Sequence, residues 1–399
     1  DGANFISQEN DNSKWGVSAA YSKYIIDSNK FELYWTPKEI DSKDLPTNEE
    51  FIKEIDPDYY EPYPKGAAGI DHYRSLTYTF SGEIPVMINP EFIYSCQMPT
   101  SDAPLVAAAP FKLGGWGGLN LVQDLIDAYQ MVDGQDINES SQDYPYPDAS
   151  VNFERIGGAN QTFSGFTLLA STARMYNNRE PRFYTTVSYN GSWYALAERK
   201  FEFFKNQKDN DYTHDAPQNG YLVRKKVYSQ DNPKNGSYKW RQMFLYRLAA
   251  SYLDYAEAVN EAYDNRASRE DALKYVNKVR ERAGVRQYTL DAVAADDAKY
   301  IHVDDNQLAV REAVRMERRV ELCCEGSRWS DIRRWRIVEQ LPEMCGDDYG
   351  MNFAGTNSQE FYKRTVFQTR VWKRAMYWFP VYIDEMNKNT NLVQAPFWN

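Results

Sequence analysis

The residues best suited to chemistry lie between Glu317 and Trp335, in the run ERRVELCCEGSRWSDIRRW. Carboxylates at Glu317, Glu321, Glu325 and Asp331 alternate there with guanidiniums at Arg318, Arg319, Arg328, Arg333 and Arg334. A general-acid pair or a phosphate site could be assembled from such a set, but helix geometry offers a plainer use. Arg318 with Glu321, and Glu325 with Arg328, stand at i,i+3, where opposite charges pair on a helix, and the planar guanidinium fork suits partly buried carboxylates. The expectation is that Glu317, Arg318, Glu321, Glu325 and Arg328 are structural ion pairs within a helical core.

Other catalytic chemistries find little support. His72, His214 and His302 stand in unrelated contexts, and no HExxH, GxSxG or Cys/His metal spacing is present, so no cofactor or metal is expected. Cys96, Cys323, Cys324 and Cys345 show no CxxC spacing and read as buried thiols, with Cys323 and Cys324 inside a helix and a Cys324–Cys345 disulfide open. FKLGGWGGLN, residues 111–120, is glycine-rich but lacks the Lys-Ser/Thr ending of a phosphate loop. Its Trp116 is either an exposed platform for a sugar or a structural anchor, the anchor being favoured. A glycoside hydrolase needs only two suitably separated carboxylates, and 57 acidic residues leave that rival open.

Aromatic content is the second chemical signal: 31 Tyr, 19 Phe and 10 Trp, many in Pro-, Gly- and Asn-rich surroundings where they cannot all be core. Tyr59, Tyr60 and Tyr63 lie in DYYEPYP, and Tyr144 and Tyr146 in DYPYP, where neither a helix nor a central strand can bury them. Trp193 directly follows Asn190-Gly191, the strongest hairpin signal in the chain. These six rings are the candidate ligand-binding residues, although cross-strand packing is an equal reading for Trp193.

The elements that must position them are mostly helical. Leu245, Leu248, Ala249, Tyr252, Tyr255, Ala256, Val259 and Tyr263 recur at helical steps, and DALKYVNKVRERAGV repeats the period until Gly284 stops it, predicting an antiparallel helix pair. Gly326 separates two further helices, and residues 14–28 predict a helix with Trp15, Ala19, Ile25 and Ile26 inward. Between them, 31–115 reads as loop with EIPVMI as a short strand, 119–129 as a helix ended at Asp133-Gly134, and YLVRKKVYS as a strand.

With 46 basic against 57 acidic residues the net charge is −11, which argues against a nucleic-acid partner, since no basic excess exists to replace phosphate counterions. No apolar run reaches the ~18 residues of a membrane span.

Four stretches, in order, resemble the SusD/RagB family of surface glycan- and nutrient-binding lipoproteins, which pair with TonB-dependent outer-membrane transporters. They are GGWGGLNLVQDLIDAYQMVDG, NNREPRFYTTVSYNG, the Arg/Glu run with its preceding helix pair, and the closing YWFPVYIDEMNKNTNLVQAPFW. The resemblance implies a mostly α fold: a tetratricopeptide-like helical scaffold with long loops and small β elements. It implies one domain over 1–399, with 1–30 and 241–340 as scaffold, 31–240 as a loop-rich region with short strands and one helix, and 341–399 as an irregular C-terminal segment. It further implies capture of an oligosaccharide or peptide without turnover, a SusC-like TonB-dependent transporter as partner, and outer-membrane attachment through a lipid anchor. The anchor and the family's opening helices would belong to a preceding segment, since the sequence starts at Asp1. Rival readings are a secreted helical glycoside hydrolase and an intracellular helical-repeat scaffold.

Overall fold

The computed structural model describes residues 11–38, 69–99, 103–132, 134–137, 160–163, 166–211, 215–228, 230–292, 300–341 and 344–398. Its helices include α1 (Asn12–Asp27), α2 (His72–Ser81), α3 (Ala103–Ala107), α4 (Gln123–Ala128), α5 (Pro181–Thr186), α6 (Leu248–Ala262), α7 (Arg266–Ala283), α8 (Gln307–Glu321) and α9 (Ser327–Arg334).

The scaffold is built on α6, against which α1, α7 and α8 all pack. Ala249, Ala256 and Ala258 are fully buried, and their small side chains let the neighbouring helices approach while Leu253, Val276 and Val310 fill the spaces between them. The starts of α1, α7 and α8 are each closed by a side chain that the sequence supplies. Asp11 accepts from Ser13 N at 3.0 Å, Asn265 from Ser268 N at 3.0 Å and Asn306 from Ala309 N at 2.9 Å. Gly284 ends α7 at φ 73°, the left-handed conformation expected of it. On α1, Ala19 is buried and Trp15 and Ile26 pack against the same core.

A second core is aromatic. Tyr129, Phe166, Tyr176, Phe183, Tyr189 and Tyr221 are all at most 2% exposed and meet in tilted, stacked and edge-on contacts such as Tyr176 with Tyr189, centroids 4.4 Å apart. Two of their hydroxyls are paired inside: Tyr176 donates to Tyr221 at 3.1 Å, and Tyr221 to Gln123 Oε1 at 2.8 Å. Much of the aromatic surplus is therefore interior, while Tyr21, Tyr24, Tyr94, Trp116, Trp240 and Phe379 among others are exposed, in line with the expectation that the rings cannot all be core.

Several elements differ from expectation. Leu245 does not join the α6 face; Gln242–Arg247 is a strand antiparallel to Phe92–Pro99, Phe244 stacks on Phe92 at 4.6 Å, and Leu245 is 52% exposed. Aromatic and branched residues in both segments favour that pairing over an extra helical turn. Tyr263 is likewise exposed.

The 31–240 region contains more than one helix: α2, capped by Asp71 accepting from Arg74 N at 2.8 Å, was hidden by its Thr- and Tyr-rich composition. Val86–Ile88, within EIPVMI, is a single tight helical turn. The helix expected from Leu119 begins only at Gln123, because the backbone of Leu119 is engaged on both sides, its N–H by Ala107 O and its carbonyl by Val223 N.

Asn190-Gly191 makes a turn, but not a hairpin. Val187–Tyr189 pairs with Tyr221–Val223, and Trp193–Tyr194 with Arg199–Lys200. Only the start of YLVRKKVYS is strand. Gly346–Met351 pairs antiparallel with Arg364–Arg370 inside the segment expected to be irregular. All four cysteines are free. Cys323 and Cys324 follow α8 in a turn, with Cys323 buried and Cys324 exposed at φ 59°. Among the described residues no helix is long and apolar enough to cross a membrane.

Candidate functional site

Two regions could carry function, and their surroundings separate them. The Arg/Glu run turns out to be the hub of a buried ionic network. Glu321 Oε1 accepts from Arg247 Nη1 at 2.9 Å and Arg282 Nη2 at 2.6 Å, and Oε2 from Arg182 Nη1 at 3.3 Å. Glu91 spans the same two arginines, at 2.6 Å from Arg247 and 2.8 Å from Arg282. Glu325 holds Arg247 through Nε at 2.8 Å and Lys225 at 2.6 Å, while Glu317 takes Arg280 at 2.8 Å and also pairs with Arg182.

Burial would raise the Glu321 carboxyl, but Arg282, Arg247 and Arg182 outweigh it and hold the group well below the ordinary carboxylate range. A carboxylate saturated by three cations and closed to solvent cannot take up a proton from a substrate. Burial of Glu317, Arg318, Glu321 and the Glu325 side chain agrees with expectation; Arg328 is only half-buried.

The partners differ from those expected. Arg318 forks onto Asp331 at 3.1 Å through Nε and Nη2 and also meets Asp254, rather than pairing with Glu321. Glu325 is taken by Arg247 and Lys225. An i,i+3 pair lies along one helix surface, whereas this face of α8 is turned into the protein, where arginines from α7 and from the strand before α6 reach it.

The second region is the loop of residues 114–120. Gly114 sits at φ 83° and Gly117 at φ 58°, and a Cβ on Gly115 would lie 1.9 Å from the Ala109 carbonyl oxygen. The loop is thus pressed onto its neighbours at positions where only glycine fits. Trp116 N–H donates to Val106 O at 3.1 Å and Gly117 N–H to Ala109 O at 2.7 Å, while Asn120 Nδ2 closes the loop on Gly117 O at 3.0 Å. Fixed in this way, the backbone turns the Trp116 side chain outward, 53% exposed; the structural-anchor expectation for this residue is overturned.

Trp116 stands over a cleft of about 590 Å³ whose walls include Asn120, Asn210, Asp215, Phe367 and Arg370. Phe367, 36% exposed, adds a second ring, and Arg370 lies 3.1 Å from the buried Asp348. Asn210 donates to Phe203 O at 3.0 Å and Phe353 O at 2.7 Å, so its amide is locked in place. The amide oxygens of Asn120 and Asn210 are covered and have no donor among the described residues. Ring faces beside the Asp215 carboxylate and the Arg370 guanidinium can stack on the C–H face of a sugar while bonding its hydroxyl edge. A cleft of this size with a few fixed polar groups is the usual form of a small-ligand site.

Of the six rings expected to bind ligand, Tyr59, Tyr60, Tyr63, Tyr144 and Tyr146 lie outside the described residues. Trp193 is half-buried in its short strand, does not line the Trp116 cleft, and accepts a hydrogen bond at its carbonyl from Arg224 Nη1 at 3.5 Å. Phe367 and Arg370 were missed because they enter from a strand more than 200 residues along the chain from the glycine loop. The signal that could have raised Trp116 above an anchor is the pair of glycines on either side of it.

Comparison with known proteins agrees with this architecture. No curated protein matches the chain significantly. Among solved structures, BT4246 superposes with a TM-score of 0.71 at 23% identity, covering 98% of this chain and 66% of its own. A SusD-like protein from Bacteroides fragilis NCTC 9343 gives 0.61 at 25% identity, with 85% of this chain and 60% of its own covered. A SusD-like carbohydrate binding protein from the same organism gives 0.62 at 20% identity, with coverages of 95% and 61%. The chain thus spans less than two thirds of the length of these structures. Its helical framework is the tetratricopeptide-like scaffold of their fold. With the SusD family model matching residues 88–398, the chain belongs to the SusD family.

Proposed function

We propose that this protein captures an oligosaccharide without altering it, in the cleft beneath Trp116, and passes it to a SusC-like TonB-dependent transporter at the outer membrane, where a lipid anchor carried by a preceding segment holds it. The observation that carries the binding step is the outward Trp116 on a backbone fixed by glycine contacts. A ring held in the open by structure rather than by chance supports a stacking role. Capture is favoured over hydrolysis because Asp215 is the sole carboxylate among the described residues lining the cleft, whereas glycoside hydrolysis ordinarily employs two. Tyr59, Tyr60, Tyr63, Tyr144, Tyr146 and Trp193 belong to the proposal on sequence grounds, as rings that extend the platform.

The test is a calorimetric binding screen of the protein against neutral polysaccharides and peptides, with chromatography of the recovered ligand. Binding of a glycan that is recovered intact and that weakens in Trp116→Ala supports the proposal. Shortened glycan products would replace capture by hydrolysis, and binding confined to peptides would change the cargo. The transporter step is tested by co-purification from native membranes with a β-barrel partner.

A further inference from the structure

A separate pocket of about 130 Å³ lies between α2 and residues 224–227, lined by Tyr73, Arg74, Thr77, Glu83, Arg224 and Lys226 among others. Its charges behave unlike those of the scaffold. Arg182, Arg247, Arg280, Arg282 and Arg318 each meet at least one carboxylate. Arg224 meets none among the described residues. Its guanidinium makes two long hydrogen bonds, to Trp193 O at 3.5 Å and the Tyr73 hydroxyl at 3.3 Å, and lies 5.1 Å from the centre of the Phe166 ring. Five N–H donors are thereby left mostly unspent.

Lys226 forms no ion pair with any described residue; its ammonium lies 5.2 Å from the Phe244 ring centre. Its backbone is at φ 73°, a conformation that costs a non-glycine residue energy. Burial, only partly countered by Glu325 and reinforced by the like charge of Lys225, depresses its pKa. An anion beside it would reverse that.

The remaining groups do not neutralise the pair. Arg74 is shared with Asp71 at 3.8 Å. Glu83 also lines the pocket, but its carboxyl accepts from the Ser81 hydroxyl and is acted on by the charges of Lys239 and Arg241. Two cations that line one small cavity, neither in an ion pair with a described carboxylate, in a chain of net charge −11 whose arginines around α8 all meet carboxylates, are placed for an external anion.

We propose that this pocket is a second binding site, independent of the Trp116 cleft, for the carboxylate or sulfate group of an anionic ligand, with Arg224 as the fork that grips two of its oxygens and Lys226 as the point charge beside it. The volume admits one such group with part of the sugar ring that bears it, so an acidic sugar unit is the natural occupant.

The experiment is calorimetry at low ionic strength on the Trp116→Ala protein, which removes the ring from the neutral cleft, with sodium glucuronate, sodium sulfate and glucose as probes. Glucuronate is expected to bind and glucose not to bind. The glucuronate affinity falls tenfold or more in an added Arg224→Gln, falls several-fold in Lys226→Gln, and weakens as sodium chloride is raised. Sulfate binding as well as glucuronate, with the same losses, supports the oxyanion site and shows that the sugar ring is not read. Equal binding of glucose and glucuronate, no binding of either anion, or anion affinity unchanged in both variants overturns the proposal. If Arg224→Gln does not fold cooperatively, Lys226→Gln alone decides, since that ammonium bonds to no other part of the described fold. Failure of glycans to bind the unsubstituted protein would bear on the Trp116 cleft and leave this result standing.

Discussion

The α8 network and the Trp116 loop invert the usual distribution of side chains. Around α8, carboxylates and guanidiniums are in the interior, each with several partners; in the 114–120 loop, a large apolar ring is held in solvent. In the first region the energy lies in mutual satisfaction, since a buried charge is tolerable only while its partners remain. In the second it lies in backbone fit, and the side chain itself contributes little to folding. What a residue does is therefore set less by its type than by what would be left exposed or unpaired without it. Measurements of stability and of binding should separate the two regions.

The largest effect is expected from Glu321→Ala, which takes one carboxylate from Arg182, Arg247 and Arg282 at once and leaves the buried network with excess positive charge. It should cost about 3–5 kcal/mol in chemical denaturation. If the variant unfolds like the parent and loses glycan instead, the network is a binding site and the comparison collapses.

Acid should erode the same region. Glu321 and Glu325 both titrate below their ordinary value in the folded state, so their contribution is fully present above the unfolded value, about 4.3. It is lost progressively as pH falls toward the folded values. Unfolding free energy should drop between pH 5 and pH 3, and the drop should be smaller in Glu321→Gln; parallel curves would remove Glu321 from the acid response.

Gly115→Ala tests the loop from beneath. The added Cβ meets the Ala109 carbonyl, so the loop must shift, at a cost of about 1–3 kcal/mol of stability together with a loss of glycan affinity. A change in neither would mean that the close packing of this loop is not what aims the ring.

Trp116→Ala should weaken glycan binding about tenfold, the equivalent of about 1.4 kcal/mol, with the melting temperature unchanged. A lowered melting temperature would return the residue to the anchor role. The smallest effect, about twofold on neutral glycan, is expected for Trp193→Ala, whose ring stands outside the cleft wall.

The sequence carried the scaffold clearly where one local rule sufficed. The helical period through Val259, the left-handed stop at Gly284 and the break at Gly326 each depend on a few adjacent residues. Burial of Glu317 and Glu321 was legible too, because charges spaced within a helical run of apolar residues must enter the core with it. Their partners were not, since Arg182 is brought to Glu317 from 135 residues away and Arg247 to Glu321 from 74. The turn at Asn190-Gly191 was correctly located, yet its strands pair with other segments, because register was decided by the aromatic core around Tyr189 and Tyr221. Trp116 could not be placed from its neighbours alone. The reason those glycines are required is contact with Ala109 and Ala216, which the chain order does not display.

The tethering of residues 114–120 on both sides also bears on the tempo of recognition. A loop whose amides are already committed to Val106 and Ala109 has little freedom left to lose when a ligand arrives, and no rearrangement need precede contact. Association should then be a single-exponential process whose rate rises linearly with ligand concentration. Variants around the cleft should differ chiefly in how long the ligand stays rather than in how quickly it is found.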